Sequence, residues 1–126
     1  MQFLQDLLNN KEPDNWWKEY KDFCKDISKV DRSLFIEALP ALLKKLENNY
    51  AHRDLRIALE NESKSNASFG KEIYSKILEA QNPYLYDSLT DIISGLYKSN
   101  QKIAITKIKN LIRKYAKRNQ PKHNLT

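Results

Sequence analysis

Apolar residues recur every three or four positions along most of the chain, the interval that places them on one face of an α-helix. Phe3, Leu4, Leu7 and Leu8 outline a short amphipathic helix that Asn9, Asn10 and Lys11 end. Trp16, Tyr20, Phe23 and Ile27 form the stripe of a second helix, with Trp17 and Cys24 beside it. Pro13 is expected in its first turn, where a missing N–H costs nothing. Asp31 is the expected N-cap of a third helix. Leu34, Phe35, Ala38, Leu39, Leu42, Leu43 and Leu46 make that helix the central core element. Pro40 falls inside it, so a kink or a break is expected near Ile36 to Leu39, because proline removes a hydrogen bond and crowds the preceding turn.

Asn48 and Asn49 mark the exit from the third helix, and a fourth is expected from Tyr50 to Glu62, burying Ala51, Leu55, Ala58 and Leu59. The polar run Glu62 to Ser68 reads as a mobile loop. Phe69, Ile73, Ile77 and Leu78 make a fifth helix. Asn82-Pro83 reads as a boundary, with Asn as N-cap and Pro as first helical residue of a sixth helix that buries Leu85, Leu89, Ile92, Ile93 and Leu96. Ser99 or Asn100 ends it and caps a seventh over residues 101–118. Pro121 stops any continuation, and the residues beyond it are expected to fray.

No run of alternating β-branched residues lies between turn dipeptides, so the expected fold class is all-α. The pattern predicts a single compact bundle of six to seven helices over residues 1–120, with a frayed tail over 121–126. A shift of fifty residues lays Leu39 on Leu89 and Leu46 on Leu96, which would make the bundle a stack of helical hairpins. With 126 residues, 40% of them apolar, the chain needs neither metal nor disulfide to bury a core. Cys24 is the only cysteine, which excludes an internal disulfide and a cysteine-based zinc site. The opening Met-Gln-Phe-Leu-Gln-Asp lacks the basic and apolar segments of a signal peptide, and a cytoplasmic setting is expected.

Charge changes the picture. Residues 98–126 carry nine Lys and Arg and no Asp or Glu, whereas residues 1–97 carry thirteen basic and sixteen acidic side chains. Such an asymmetry bears on partners rather than on fold. On a helical wheel, at about 100° per residue, Ala104, Ile105, Ile108, Leu111, Ile112 and Tyr115 fall within an arc of roughly 120°. That arc is expected to dock on the sixth helix. Lys102, Lys107, Lys109, Arg113, Lys114, Lys117 and Arg118 spread over the opposite half, with Ile103 the one apolar residue among them.

Catalytic patterns are weak. His52-Arg53-Asp54-Leu55 copies the start of the protein-kinase catalytic loop, but the position that needs a metal-binding Asn holds Leu59. Cys24 has only His52 and His123 as candidate bases, and packs better as a small apolar residue. Asp87 and Asp91 share a helix face without further ligands, and a solvated face or an ion pair with the last helix suits them better than a metal. The expectation is therefore a non-catalytic protein without a cofactor.

Four readings of the basic half compete. It is a solvated face partly neutralised by Asp87 and Asp91, a nucleic-acid backbone contact, a site for an acidic protein, or a contact to an anionic membrane surface. The leading expectation is backbone-directed, weakly sequence-specific nucleic-acid binding. A continuous basic groove joining Lys44, Lys45, Arg53 or Arg56 to the last helix would favour it. The alternative is a protein-interaction module, such as an inhibitor, immunity factor or complex subunit. Its interface would be the aromatic helix, through Trp16, Trp17 and Tyr20, or a hairpin groove, and an exposed apolar patch around Trp17 would favour it.

Overall fold

A computed structural model describes residues 2–47 and 52–118. Helix α1 (Gln2–Leu8) buries Phe3, Leu4 and Leu7 of the opening pattern, whereas Leu8, in its last turn, is exposed. Helix α2 (Trp16–Lys25) starts later than expected. Pro13 is buried ahead of it, outside the first turn. Ile27 also leaves the helix, because the chain tightens into a 3-10 turn (Ile27–Lys29) that still points it inward. Helix α3 (Arg32–Leu46) begins at Asp31, whose carboxylate accepts a hydrogen bond from the Leu34 N–H at 2.8 Å.

Pro40 does not break α3, which is continuous from Arg32 to Leu46. A proline inside a helix costs about 3 kcal/mol. Fully burying one leucine or phenylalanine contributes roughly 1.5–3 kcal/mol. Phe35, Ala38, Leu39 and Leu42 flank the proline on both sides and are fully buried, so packing outweighs the lost hydrogen bond.

The exit at Asn48 and Asn49, with Tyr50 and Ala51, lies outside the described residues. Helix α4 (His52–Ser65) runs through the segment expected to be a mobile loop. Asn66 alone separates it from α5 (Ala67–Glu79), and its side chain caps α5 by accepting from the Phe69 N–H at 3.1 Å. The polar run stays helical because Ser63 is fully buried against neighbouring helices, where only a small side chain fits. Asn82-Pro83 is a boundary, but Pro83 opens a second 3-10 turn (Pro83–Leu85), and α6 (Asp87–Ser99) starts only after it. Asn100 alone then links α6 to α7 (Gln101–Arg118). The described residues form an all-α bundle of seven helices, with no strand among them. No helix there is long and apolar enough to cross a membrane.

Helix α6 is the hub: it packs on α4, α5 and α7. Helix α3 packs on α1 and α5, so the fifty-residue correspondence between α3 and α6 does not extend to their neighbours. The tightest approach is between α4 and α6. A Cβ on Gly95 would lie 2.3 Å from the Glu60 carbonyl oxygen and 2.8 Å from the Ser63 Cβ. Gly70 of α5 closes the same junction, since a Cβ there would meet Leu96 at 2.9 Å and Ser63 at 3.1 Å.

The aromatic residues of α2 form the other half of the core. The Trp16 and Tyr20 rings stack 5.9 Å apart, and Phe3 and Phe35 extend the cluster through Phe23. The fully buried Tyr20 hydroxyl accepts from the Leu55 N–H at 3.0 Å, satisfying a first-turn donor of α4. Gly95→Ala must part α4 from α6 and is expected to cost about 3 kcal/mol. The Ser63 hydroxyl finds no partner among the described residues, so Ser63→Ala is expected to be neutral or slightly stabilising. Urea denaturation of both variants beside the parent chain checks the contrast.

Candidate functional site on the last helical hairpin

Helices α6 and α7 form a hairpin whose single linking residue is also its cap. The Asn100 N–H closes α6 on the Leu96 carbonyl, and its side-chain oxygen accepts from the Ile103 N–H at 3.2 Å. This leaves no slack, so the first turn of α7 must lie against α6. Ala104 is fully buried, and Ile103 and Leu111 pack on the core from half-buried positions. Farther along, the Tyr74 hydroxyl of α5 donates to the Lys107 carbonyl at 2.6 Å. The Lys107 ammonium sits over the same ring, 5.3 Å from its centroid. Burial pushes the Tyr74 hydroxyl up to about 12, which keeps it a donor.

These contacts rotate α7 away from its expected setting. Ile103, Ala104, Lys107, Asn110, Leu111 and Lys114 are the buried or half-buried positions. On the wheel they centre roughly 100° from the middle of the apolar arc. Only part of that arc docks. Ile105, Ile108 and Ile112 remain 45%, 36% and 62% exposed. The Tyr115 side chain lies outside the described set. Across the hairpin, Tyr97 of α6 is 48% exposed. Ile93, Tyr97, Ile108 and Leu111, with Thr90 and Ser94, line a cleft of about 480 Å³ between the two helices.

The same rotation divides the seven basic positions. Lys102, Lys109 and Arg113 are exposed and fall within about 40° of one another on the wheel, beside the isoleucine row. Lys107 and Lys114 are half-buried on the docked side. Lys117 and Arg118 complete the helix, but their side chains lie outside the described set. No described cation of α7 forms an ion pair among the described residues.

Among the described residues, neither Asp87 nor Asp91 forms an ion pair with α7. Asp91 instead pairs with Arg56 of α4 at 3.3 Å, and Asp87 is exposed. Lys98, at the rim of the cleft, pairs with Glu60, which also accepts from the Ser94 hydroxyl at 2.9 Å. Lys45 pairs with Glu12. Between α7 and the other basic candidates, Arg56 and Lys98 are therefore already matched by carboxylates.

The aromatic helix offers less surface than expected. Tyr20 is fully buried, which withdraws it from the surface, and Trp16 is half-buried. Trp17 alone is exposed, at 45%, edge-on to both. Burial pushes the Cys24 thiol up to about 11, away from the thiolate a nucleophile needs. A cleft of about 880 Å³ between α3, α4 and α6 is lined by Glu47, His52, Arg56, Asp87 and Asp91 among others.

What the pattern of the chain failed to reveal is the exposed isoleucine row and its neighbour Tyr97. One signal was present: Ile103 lies off the apolar arc, among the basic residues. A docking face must include it, which pulls the buried side away from Ile105 and Ile112.

No protein-family model matches the chain, and no curated protein or solved structure matches it either.

The two carboxylates around this hairpin have opposite electrostatics. Hydrogen bonds from Lys98 and Ser94 hold Glu60 below the usual carboxylate range. Burial lifts Asp91 above that range, and Arg56 offsets this only in part. Glu60 thus stabilises the fold at neutral pH and loses that contribution as pH falls through its titration. The charged form of Asp91 destabilises the fold at neutral pH, and protonation relieves it. Thermal melts at pH 7 should show Glu60→Gln lowering Tm and Asp91→Asn raising it. Both differences should shrink as the solution is acidified.

Proposed function

We propose that this chain is a non-catalytic protein-interaction module that engages its partner through the outer face of α7 and the α6–α7 cleft. The observation that carries the reading is the row Ile105, Ile108 and Ile112, exposed beside cations that have no ion-pair partner among the described residues. Scattered surface apolar residues need no explanation, but a contiguous row that continues into a cleft marks an interaction site. An apolar centre with a charged rim is also the usual anatomy of a protein interface. Tyr97 stands at the edge of the cleft, an aromatic anchor of the type that dominates binding energy.

Nucleic-acid backbone binding is the second reading, favoured by the clustered Lys102, Lys109 and Arg113. Three cations suffice for weak, salt-sensitive phosphate contacts. A phosphate backbone, however, offers no apolar face to cover the isoleucines. The paired states of Arg56 and Lys98 also leave the basic surface short.

Two measurements separate the readings. In a salt series with single- and double-stranded DNA and RNA, the interaction module is expected to show no binding at physiological salt. Steeply salt-dependent binding that Arg113→Gln weakens would transfer the proposal to nucleic acid. A photo-crosslinking residue at position 112 is expected to give a discrete protein adduct in cells, lost on Ile108→Asp. The same probe at position 57, on the exposed face of α4, should give none. Equal adducts at both positions would overturn the reading.

A further inference from the structure

We infer that the occupant of the α6–α7 cleft is an amphipathic helix with an apolar ridge and an acidic flank. This rests on the protein-interaction reading and specifies the partner's chemistry. Three features of the surface argue for it.

The first is shape. Ile93 and Leu111 form the floor of the cleft, and Tyr97 and Ile108 belong to facing sides of the hairpin. A groove between two helices accepts the ridge of a third, read by anchors at i, i+3, i+4 and i+7. A flat membrane surface cannot fill a recess of this kind. The second is length. From Ile105 to Ile112 the apolar row runs about 10 Å, at the ~1.5 Å rise per residue of a helix, which matches two turns of a partner laid alongside.

The third is charge. Lys102, Lys109 and Arg113 border the row on one side and have no acidic partner among the described residues. A helix seated on the isoleucines would bring its own flank against them, and carboxylates there would complete the interface. The same feature disfavours a second copy of this chain. An antiparallel two-fold pairing would set this cation row beside its own image, and a parallel one would set it opposite a flank without carboxylates of its own segment. Residues 98–126 carry nine basic and no acidic side chains, so no carboxylate from that segment could relieve the repulsion.

The test uses the full chain and labelled peptides of about fourteen residues, built on the anchor spacing of helix-in-groove partners. One peptide carries leucines at that spacing with glutamates along one flank. A second has lysines in place of the glutamates, and a third interrupts the first with proline. Fluorescence anisotropy reads binding at low and physiological salt. The glutamate peptide is expected to bind at least tenfold more tightly than either control. The double variant Lys109→Glu/Arg113→Glu should reverse the preference between the glutamate and lysine peptides. Ile108→Ser/Ile112→Ser should abolish both. These positions are exposed, and circular dichroism is the check that the variants stay folded. Equal binding of the glutamate and lysine peptides, or undiminished binding of the proline peptide, overturns the inference and leaves the interaction reading standing. Failure of all three peptides also overturns it. If phosphatidylglycerol vesicles or RNA then bind in a manner that Ile108→Ser/Ile112→Ser or Arg113→Gln removes, the interaction reading falls as well.

Discussion

Helices α4 and α6 can lie together because Gly95 has no side chain. Its Cα faces the Glu60 carbonyl and Ser63 at a separation that no Cβ could occupy, and Gly70 brings α5 to the same point. Three helices therefore converge on a junction built from two glycines and one serine. The chain has only these two glycines, and neither has a positive φ. They serve proximity rather than turns. The closeness sets the rest of the arrangement: Leu96 fills the space over Gly70, Glu60 reaches Lys98 and Ser94, and α6 is placed to receive α7.

The core and the helix order were legible from apolar spacing, since helices α1, α3, α5 and α6 bury most of the residues their stripes named, with Leu8 left exposed and Leu85 placed in the 3-10 turn before α6. Local rules fall short where packing decides. Polar content marks Glu62 to Ser68 as loop, yet Ser63 is among the most buried residues, because the junction selects for size over polarity. Helix-start rules claim Pro13 and Pro83, but fixed φ suits the chain ahead of a helix and a 3-10 turn equally well. Pro40 leaves α3 unbroken, because the apolar residues around it decide the outcome collectively.

The candidate surface was half legible. Charge counting found α7, and its cation row contains three of the positions first named. The rotation of the helix was out of reach, because a wheel describes one helix in isolation and assumes that its most apolar arc docks. Here the one-residue link at Asn100, the small Ala104 and the Tyr74 hydroxyl choose the docked side. Of the three, only Ala104 belongs to the apolar arc, and it lies near the arc's edge. A solvated basic face and a binding face with an apolar row beside it carry the same sequence, and differ by roughly a quarter turn of the helix.

That quarter turn gives Tyr74 an influence far from where it sits. Its ring is buried, and its hydroxyl holds a backbone carbonyl rather than any surface group. Yet it helps decide which side chains of α7 meet the solvent. A change at this interior position would alter the outward chemistry of the molecule with every surface residue left in place. Recognition in this fold can therefore be retuned from within the core, and two chains with identical exposed residues need not present the same surface.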